Sequence, residues 1–259
     1  ALSLLLHAED EQGQRMSSKL LRDEVMTLLL AGHDTTANSL TWSWVLLAQH
    51  PEVMRQMAVA SSIRPDRDDS TSPAVDPPPL ALRVIRESMR LYPPAYMIGR
   101  EPLHDVRIGK YWVRKGTSVV MSPWVVHRDE RFFSEPERFR PQRWTNEFER
   151  KLPRYAYFPF GGGPRVCIGR DLALIESTLI LSLLAPQFVV TLHDPVGVVP
   201  WPTVTLRVRD AVGAQVTSRQ PNGQPQPAVR SAVSCPHQGS VSQPGANSQS
   251  GAGSPGLHD

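Results

Sequence analysis

Residues 158–169 read FPFGGGPRVCIG and place Cys167, one of only two cysteines in the chain, in a turn with four glycines. A helix-forming stretch, RDLALIESTLILSLLAP, follows directly at 170–186. Backbone N–H groups, the positive end of that helix and Arg165 would all favour the thiolate form of Cys167. The glycines let the backbone approach a flat, bulky group. On the turn alone, a small buried structural cysteine remains the common alternative.

Phe160, Gly163, Arg165, Cys167 and Gly169 fill every fixed position of the pattern F-x-x-G-x-R-x-C-x-G. With these residues the loop resembles the haem-binding loop of the cytochrome P450 family. The resemblance implies that Cys167 ligates the iron of haem b as a thiolate, which favours cleavage of the O–O bond. It also implies that Phe160, Gly163 and Gly169 line the cofactor and that Arg165 pairs with a haem propionate.

The same resemblance places a second propionate partner at Arg100, just after the stretch PPAYMIG. Histidine is a common metal ligand, but His33 and His127 match no ligand position of the family. We therefore interpret both histidines as structural or solvated.

Glu87 and Arg90 stand three residues apart on a predicted helix at 80–91, close enough to bond on one face. Alone, such a pair is often a solvated ion pair of little consequence. The resemblance implies that this pair is buried and joined by an arginine from a later loop. The stretch FSEPERFRPQRW offers Arg138 and Arg143, and we assign Arg143 because F-x-P-x-R-W matches the longer family pattern.

A long helix is predicted over 21–49, and its apolar stripe is interrupted by the motif AGHDTT at Ala31–Thr36. These residues, apart from the alanine, are poor helix formers, so a polar break in a surface helix is the simple alternative. The motif resembles the oxygen-activating motif of the family. The resemblance implies that Asp34 relays protons and that Thr35 holds the water that receives them. The Thr35 hydroxyl is expected to bond the carbonyl four residues earlier and to loosen the helix there.

The pattern of elements predicts a mainly α protein with small β-sheets. Residues 105–122 alternate and turn at Gly109 and Gly116, as a small hairpin does, and 202–208 are strand-like. The resemblance makes residues 1–219 a partial domain, the C-terminal part of the cytochrome P450 fold. Without the N-terminal half of that fold, the haem would be exposed on one side and apolar faces would meet water.

Two segments depart from this picture. Residues 61–79 carry five prolines and predict an atypical, insert-like loop that is longer than usual connections. Two compensating reading-frame errors would explain why this segment keeps the length usual for the family but not its helical, apolar composition. Resequencing the locus tests this hypothesis. Residues 220–259 are rich in Ser, Gln, Gly and Pro, which predicts a disordered tail in which Cys235 is inert.

The net charge of +3 is concentrated at 136–170, where eight Arg or Lys face three Glu. No zinc-finger or helix-turn-helix pattern accompanies it, which argues against nucleic acid and favours an acidic protein. The resemblance implies a ferredoxin- or reductase-type electron donor. No apolar run of membrane-spanning length and no signal peptide is found, so we expect a cytoplasmic protein, with peripheral membrane contact as the alternative.

The resemblance implies a haem-thiolate monooxygenase that uses O2 to hydroxylate a small apolar substrate. LYPPAY and YFPFGGGPRVCIGRDLALIE are similar to a bacterial branch that includes carotenoid ring hydroxylases, so a carotenoid is the first substrate hypothesis and a fatty acid the second. One alternative is a peroxygenase or hydroperoxide isomerase, which needs no proton relay and against which Asp34 and Thr35 argue. The other is a truncated, non-catalytic remnant that holds no haem.

Overall fold

The computed structural model describes residues 2–9, 11–60 and 78–219 of the chain. The predicted insert-like loop therefore lies outside the described residues except for its last two positions. The predicted disordered tail at 220–259, with Cys235, also lies outside them.

The described residues form helices joined by short two-stranded sheets, as the sequence predicts. The helices are α1 (Leu2–His7), α2 (Ser18–Gln49), α3 (Pro51–Ala60), α4 (Leu80–Leu91), α5 (Pro123–Val126), α6 (Asn146–Lys151) and α7 (Arg170–Leu184). The strands are β1 (Ile98–Arg100), β2 (Val106–Ile108), β3 (Tyr111–Val113), β4 (Val119–Met121), β5 (Phe188–Leu192), β6 (Pro200–Pro202), β7 (Leu206–Val208) and β8 (Ala214–Ser218).

Helix α2 begins three residues before its predicted start because Ser17 caps it. The Ser17 hydroxyl accepts a hydrogen bond from the Leu20 N–H at 3.2 Å, which satisfies one of the free donors of the first turn. The helix ends at Gln49, as predicted. Pro51 follows shortly after this end and opens α3, since proline suits the first position of a helix.

The core lies where the second half of α2 packs against α3, α4 and α7. Its buried apolar side chains include Leu46, Leu47, Met57, Val84, Ile85 and Leu181. Burying each such side chain contributes about 1.5–3 kcal/mol. No residue of α2 before Ser39 is buried, so the half of the helix that carries the AGHDTT motif lies outside this core.

The predicted hairpin at 105–122 is only partly confirmed. Strands β2 and β3 pair around Gly109, whose φ of +59° suits glycine. The chain then turns at Gly116, but β4 pairs antiparallel with β1, a strand that the sequence did not predict. This pairing places Arg100 opposite Val119 and ties the Arg100 segment to α5. The strand-like stretch at 202–208 contributes to the antiparallel hairpin of β6 and β7.

Among the residues that the structure describes, no helix combines the length and apolarity needed to cross a membrane.

Candidate active site

Glu87 lies at the centre of a buried cluster of charges. Its carboxylate accepts hydrogen bonds from Arg90 Nε at 2.9 Å, from Arg90 Nη2 at 3.0 Å and from Arg143 Nε at 3.0 Å. The side chains of Glu87 and Arg90 are fully buried. The side chain of Arg138, the other candidate, is 72% exposed and pairs with Glu135 instead. The structure therefore brings Arg143 to Glu87, as assigned.

Two further donors reach the Glu87 carboxylate, and sequence reasoning missed both. The Trp144 indole N–H donates to Oε2 at 2.9 Å, and the Arg140 backbone N–H donates to Oε1 at 2.8 Å. The sequence did carry a signal for Trp144, because it follows Arg143 directly and its indole N–H can only donate. A donor at that position can reach the same carboxylate as Arg143. Burial lowers the pKa of Arg143, and the charge of Glu87 opposes that shift. The cluster thus satisfies one carboxylate with five donors.

Cys167 lies three residues before α7, on an exposed turn. Its N–H donates to the Phe160 carbonyl at 3.0 Å, which closes the turn. Gly163 has a φ of +70°, a conformation that favours glycine. At Gly162 an added Cβ would lie 2.3 Å from the Tyr155 ring, so any larger residue there would have to displace that ring. The glycines therefore fix the path of the chain before the thiol.

The residues that flank the thiol have different surroundings. Phe160 is partly buried and packs against the main core, which anchors the loop. Gly169 caps the start of α7, and a Cβ there would lie 3.9 Å from the Cys167 sulfur. The loop is thus tied to the core on one side and presents its sulfur on the other.

Arg100 and Arg165 are both exposed. The Arg100 guanidinium donates to the Gly99 carbonyl at 2.8 Å, and the side chain of Arg165 makes no hydrogen bond or ion pair with any described residue. Arg100 also borders a cavity of about 660 Å³ beside the loop. Ile98, Met121, Tyr155, Phe158 and Gly161 line that cavity with it.

The AGHDTT segment is helical throughout, within the uninterrupted helix α2. The Thr35 hydroxyl donates to the Ala31 carbonyl at 2.7 Å, the bond that the sequence predicts. Asp34 is tied to more distant residues than the sequence indicated. Its Oδ1 accepts from Arg207 Nη2 at 2.8 Å, and its Oδ2 accepts from the Thr205 hydroxyl at 2.6 Å.

Asn38 completes the surroundings of Asp34 by donating to its Oδ2 at 3.1 Å. The spacing of four residues could have indicated this contact, since i and i+4 share a helix face. Thr205 and Arg207 carried no such signal, because they follow in the chain by more than 170 positions. The hairpin of β6 and β7 therefore holds the acid of the motif.

In the part of the chain that the structure describes, no hydrogen bond or ion pair joins the Cys167 turn to Asp34 or Thr35. Cys167 is exposed, whereas Asp34 and Thr35 are partly buried. Four apolar side chains near Cys167 in the chain are exposed: Val166, Ile168, Leu172 and Ile175. The sequence led us to expect that apolar faces of this kind meet water. A thiol for iron, an apolar surface for a porphyrin and two guanidiniums for carboxylates are the donor set that a haem needs. The residues present fit this cofactor.

Comparison with known proteins places these features in one family. The family model for Cytochrome P450 matches residues 1–207 of the chain. The chain belongs to the cytochrome P450 family. The mainly α fold with small sheets is that of solved P450 structures: the crystal structure of the cytochrome P450DA heme domain superposes with a TM-score of 0.75 at 32% identity, over 85% of this chain and 49% of that one.

Curated P450 relatives come from mammals and from bacteria. Cytochrome P450 4V2 of Mus musculus is 39% identical over 189 residues, which cover 72% of this chain and 36% of the relative. Cyclooctatin synthase of Streptomyces melanosporofaciens is 38% identical over 190 residues, 72% of this chain and 41% of the relative. Pentalenene oxygenase of Streptomyces avermitilis is 34% identical over 225 residues, which cover 85% of this chain and 49% of the relative. The chain spans less than half the length of these P450 relatives.

Proposed function

We propose that this chain carries the haem-thiolate part of a monooxygenase that uses O2 to hydroxylate a small apolar substrate. The observation that supports the proposal is the exposed Cys167 thiol in its glycine turn, next to exposed apolar side chains. Membership of the P450 family supports it. When bound, the haem supplies the dioxygen chemistry, and a thiolate ligand favours cleavage of the O–O bond.

The chain's own residues then have separate tasks. Cys167 would hold the iron through its thiolate, and Arg165 and Arg100 would pair with the two propionates. Phe160, Gly163 and Gly169 would line the cofactor.

Asp34 and Thr35 would act as a proton relay. The Thr35 oxygen donates its proton to Ala31 and keeps lone pairs with which to accept from a water. Asp34 would exchange protons directly with solvent, because its own side chain is 35% exposed. A peroxygenase or isomerase needs no such relay, so these two residues favour the monooxygenase.

For the substrate, we propose a carotenoid first and a fatty acid second. The resemblance of the loop and of LYPPAY to bacterial carotenoid hydroxylases supports the first. Pentalenene oxygenase is a relative whose name states both a substrate and an oxygenation, which supports an oxygenation reaction without choosing between the two. Binding of each compound shifts the haem absorption, so titration of the haem-loaded chain with β-carotene and with a long-chain fatty acid ranks them.

For the electron donor, we propose a ferredoxin- or reductase-type protein that docks on the basic surface near Cys167. Arg154 is exposed there and forms no ion pair with a described residue. Arg143, which the sequence counts among these charges, is buried with Glu87 and is not available to a partner.

For the location of the protein, we propose the cytoplasm, with peripheral membrane contact as the alternative.

The carbon-monoxide difference spectrum of the reduced chain, produced with haem supplied, tests the proposal. We expect the red-shifted Soret band of a thiolate-ligated haem. Cys167→His should move that band to the position of an imidazole-ligated haem, and Cys235→Ala, at the other cysteine, should leave it in place. A chain that folds but shows no haem band would support the non-catalytic remnant and overturn the proposal for these 259 residues.

A further inference from the structure

His127 joins the buried Glu87 cluster to the segment that leads into the Cys167 turn. The residue is fully buried and follows α5 directly. Its ring Nε2 accepts a hydrogen bond from the Phe158 backbone N–H at 2.9 Å. Its carbonyl accepts one from Arg90 Nη1 at 2.9 Å. Of the two interpretations that the sequence left open for His127, structural and solvated, its burial supports the structural one.

Backbone hydrogen bonds carry this anchor on to the thiol. The Phe158 carbonyl accepts from the Gly161 N–H at 2.9 Å, and the Phe160 carbonyl accepts from the Cys167 N–H at 3.0 Å. His127 thus stands at the start of a short series of bonds that ends at Cys167.

Residue 157 is held from the other side. The Tyr157 hydroxyl donates to the Arg86 carbonyl on α4 at 2.9 Å. The ring of His127 lies between neighbouring aromatic rings, with centroids 4.9 Å from Tyr157 and 5.4 Å from Phe158. The imidazole is therefore held in place by packing and can direct its Nε2 lone pair at one N–H.

The Phe158 bond requires a neutral ring, because a protonated Nε2 has no lone pair to offer. Burial lowers the pKa of His127 to about 3, and the backbone of Met89 and Arg90 opposes that shift. The positive charges of Arg90 and Arg128 lower the pKa further. At neutral pH the imidazole is therefore uncharged and its Nε2 is an acceptor.

We propose that His127 is a positioning residue for the haem ligand: its Nε2 holds the Phe158 N–H and so sets the path of the turn that presents Cys167. The part that concerns the turn stands on the contacts above. The part that concerns the iron rests on the proposed function.

Two variants separate the hydrogen bond from the shape of the ring. His127→Gln keeps an acceptor at the reach of Nε2, and His127→Phe keeps a ring and removes the acceptor. Amide hydrogen exchange is measured on the whole chain without haem, in peptides that cover 158–169 and, as a reference, 188–193. The reference peptide contains the His193 N–H, which donates to the Gly213 carbonyl and not to a residue of the turn.

We expect exchange in 158–169 to quicken about tenfold or more in His127→Phe, because a buried N–H loses its acceptor, and to stay within about threefold of the parent in His127→Gln. The reference peptide should exchange at the parent rate in both variants. Equal exchange in the parent and the Phe variant would overturn the proposal. Equal acceleration in both variants, or acceleration of the reference peptide as well, would also overturn it, since shape or global stability would then be the cause.

The carbon-monoxide difference spectrum supplies the second measurement. The Phe variant should lose most of the red-shifted band and the Gln variant should keep it. A parent chain without haem would contradict the proposed function, while the exchange measurement would still decide the role of His127 in the turn. A Phe variant with the full parental band would overturn the part of the proposal that concerns the iron.

Discussion

The Glu87 cluster and the Asp34 site use the same kinds of side chain in opposite surroundings. In the cluster the Glu87 carboxylate and its Arg90 partner are fully buried, and every oxygen of the carboxylate is held. At the motif in α2, the Asp34 and Arg207 side chains remain 35% and 50% exposed. An ion pair is costly to break only when water cannot replace the lost partner. The cluster therefore holds the fold together, while the Asp34 pair stays accessible to water.

Glu87→Gln should cause the largest loss of stability among the variants that test this comparison. The change leaves two buried guanidiniums without a carboxylate, so we expect the free energy of unfolding to fall by about 3–5 kcal/mol. Urea unfolding followed by circular dichroism measures it. Arg138→Ala is the matched control, since it removes an exposed arginine of the same segment and should cost below about 1 kcal/mol. A Gln variant as stable as this control would contradict the role of the cluster.

His127→Gln should change how stability depends on pH. The pKa of His127 is about 6.5 in the unfolded chain and about 3 in the folded chain. Between these pH values the unfolded chain binds a proton at His127 and the folded chain does not. The free energy of unfolding therefore falls as pH is lowered through this window, by about 1.4 kcal/mol per pH unit for this one group.

The Gln variant should lose that part of the slope between pH 6 and pH 4, a difference that unfolding at several pH values measures. His33→Gln, at an exposed histidine, is the control and should keep the parental slope. Identical slopes in the parent and in the His127 variant would show that the ring titrates alike in both states.

Trp144→Phe should weaken the cluster by a smaller amount. The ring contacts, such as the centroid distance of 4.6 Å to Tyr157, remain, but the N–H that donates to Glu87 is lost. We expect a loss of about 2 kcal/mol, typical of a hydrogen bond to a charged group. Trp112→Phe, at an exposed tryptophan, should stay within about 0.5 kcal/mol of the parent in the same urea measurement. Equal losses at both sites would assign the effect to ring size.

Arg207→Gln should have the smallest effect on stability. The pair with Asp34 is half exposed, so we expect a loss of about 0.2–1 kcal/mol that disappears at about 1 M salt, where screening acts within about 3 Å. Arg209→Gln just after the same hairpin is the control, since the described ion pair of Arg209 is with its sequence neighbour Asp210. A loss of about 3 kcal/mol or more that persists in high salt would make the Asp34 site resemble the buried cluster and break the comparison.

The sequence by itself determined the family, the helix at 80–91 and the end of the long helix at Gln49. These features are local: a pattern within ten residues of chain, a helical period, and a proline that ends one helix. The bond from Thr35 to the carbonyl four residues earlier was predictable for the same reason, since helix geometry alone brings the two groups together.

Only the tertiary structure decided which distant groups meet. Four contacts join positions that are far apart in the chain: β4 with β1, Trp144 with Glu87, Arg207 with Asp34, and Phe158 with His127. No local period marks such partners, because a buried donor needs an acceptor of suitable direction wherever packing places one. The sequence determined the motifs from which the chemistry is proposed, and packing decided which of their residues are buried and held and which stay open to water.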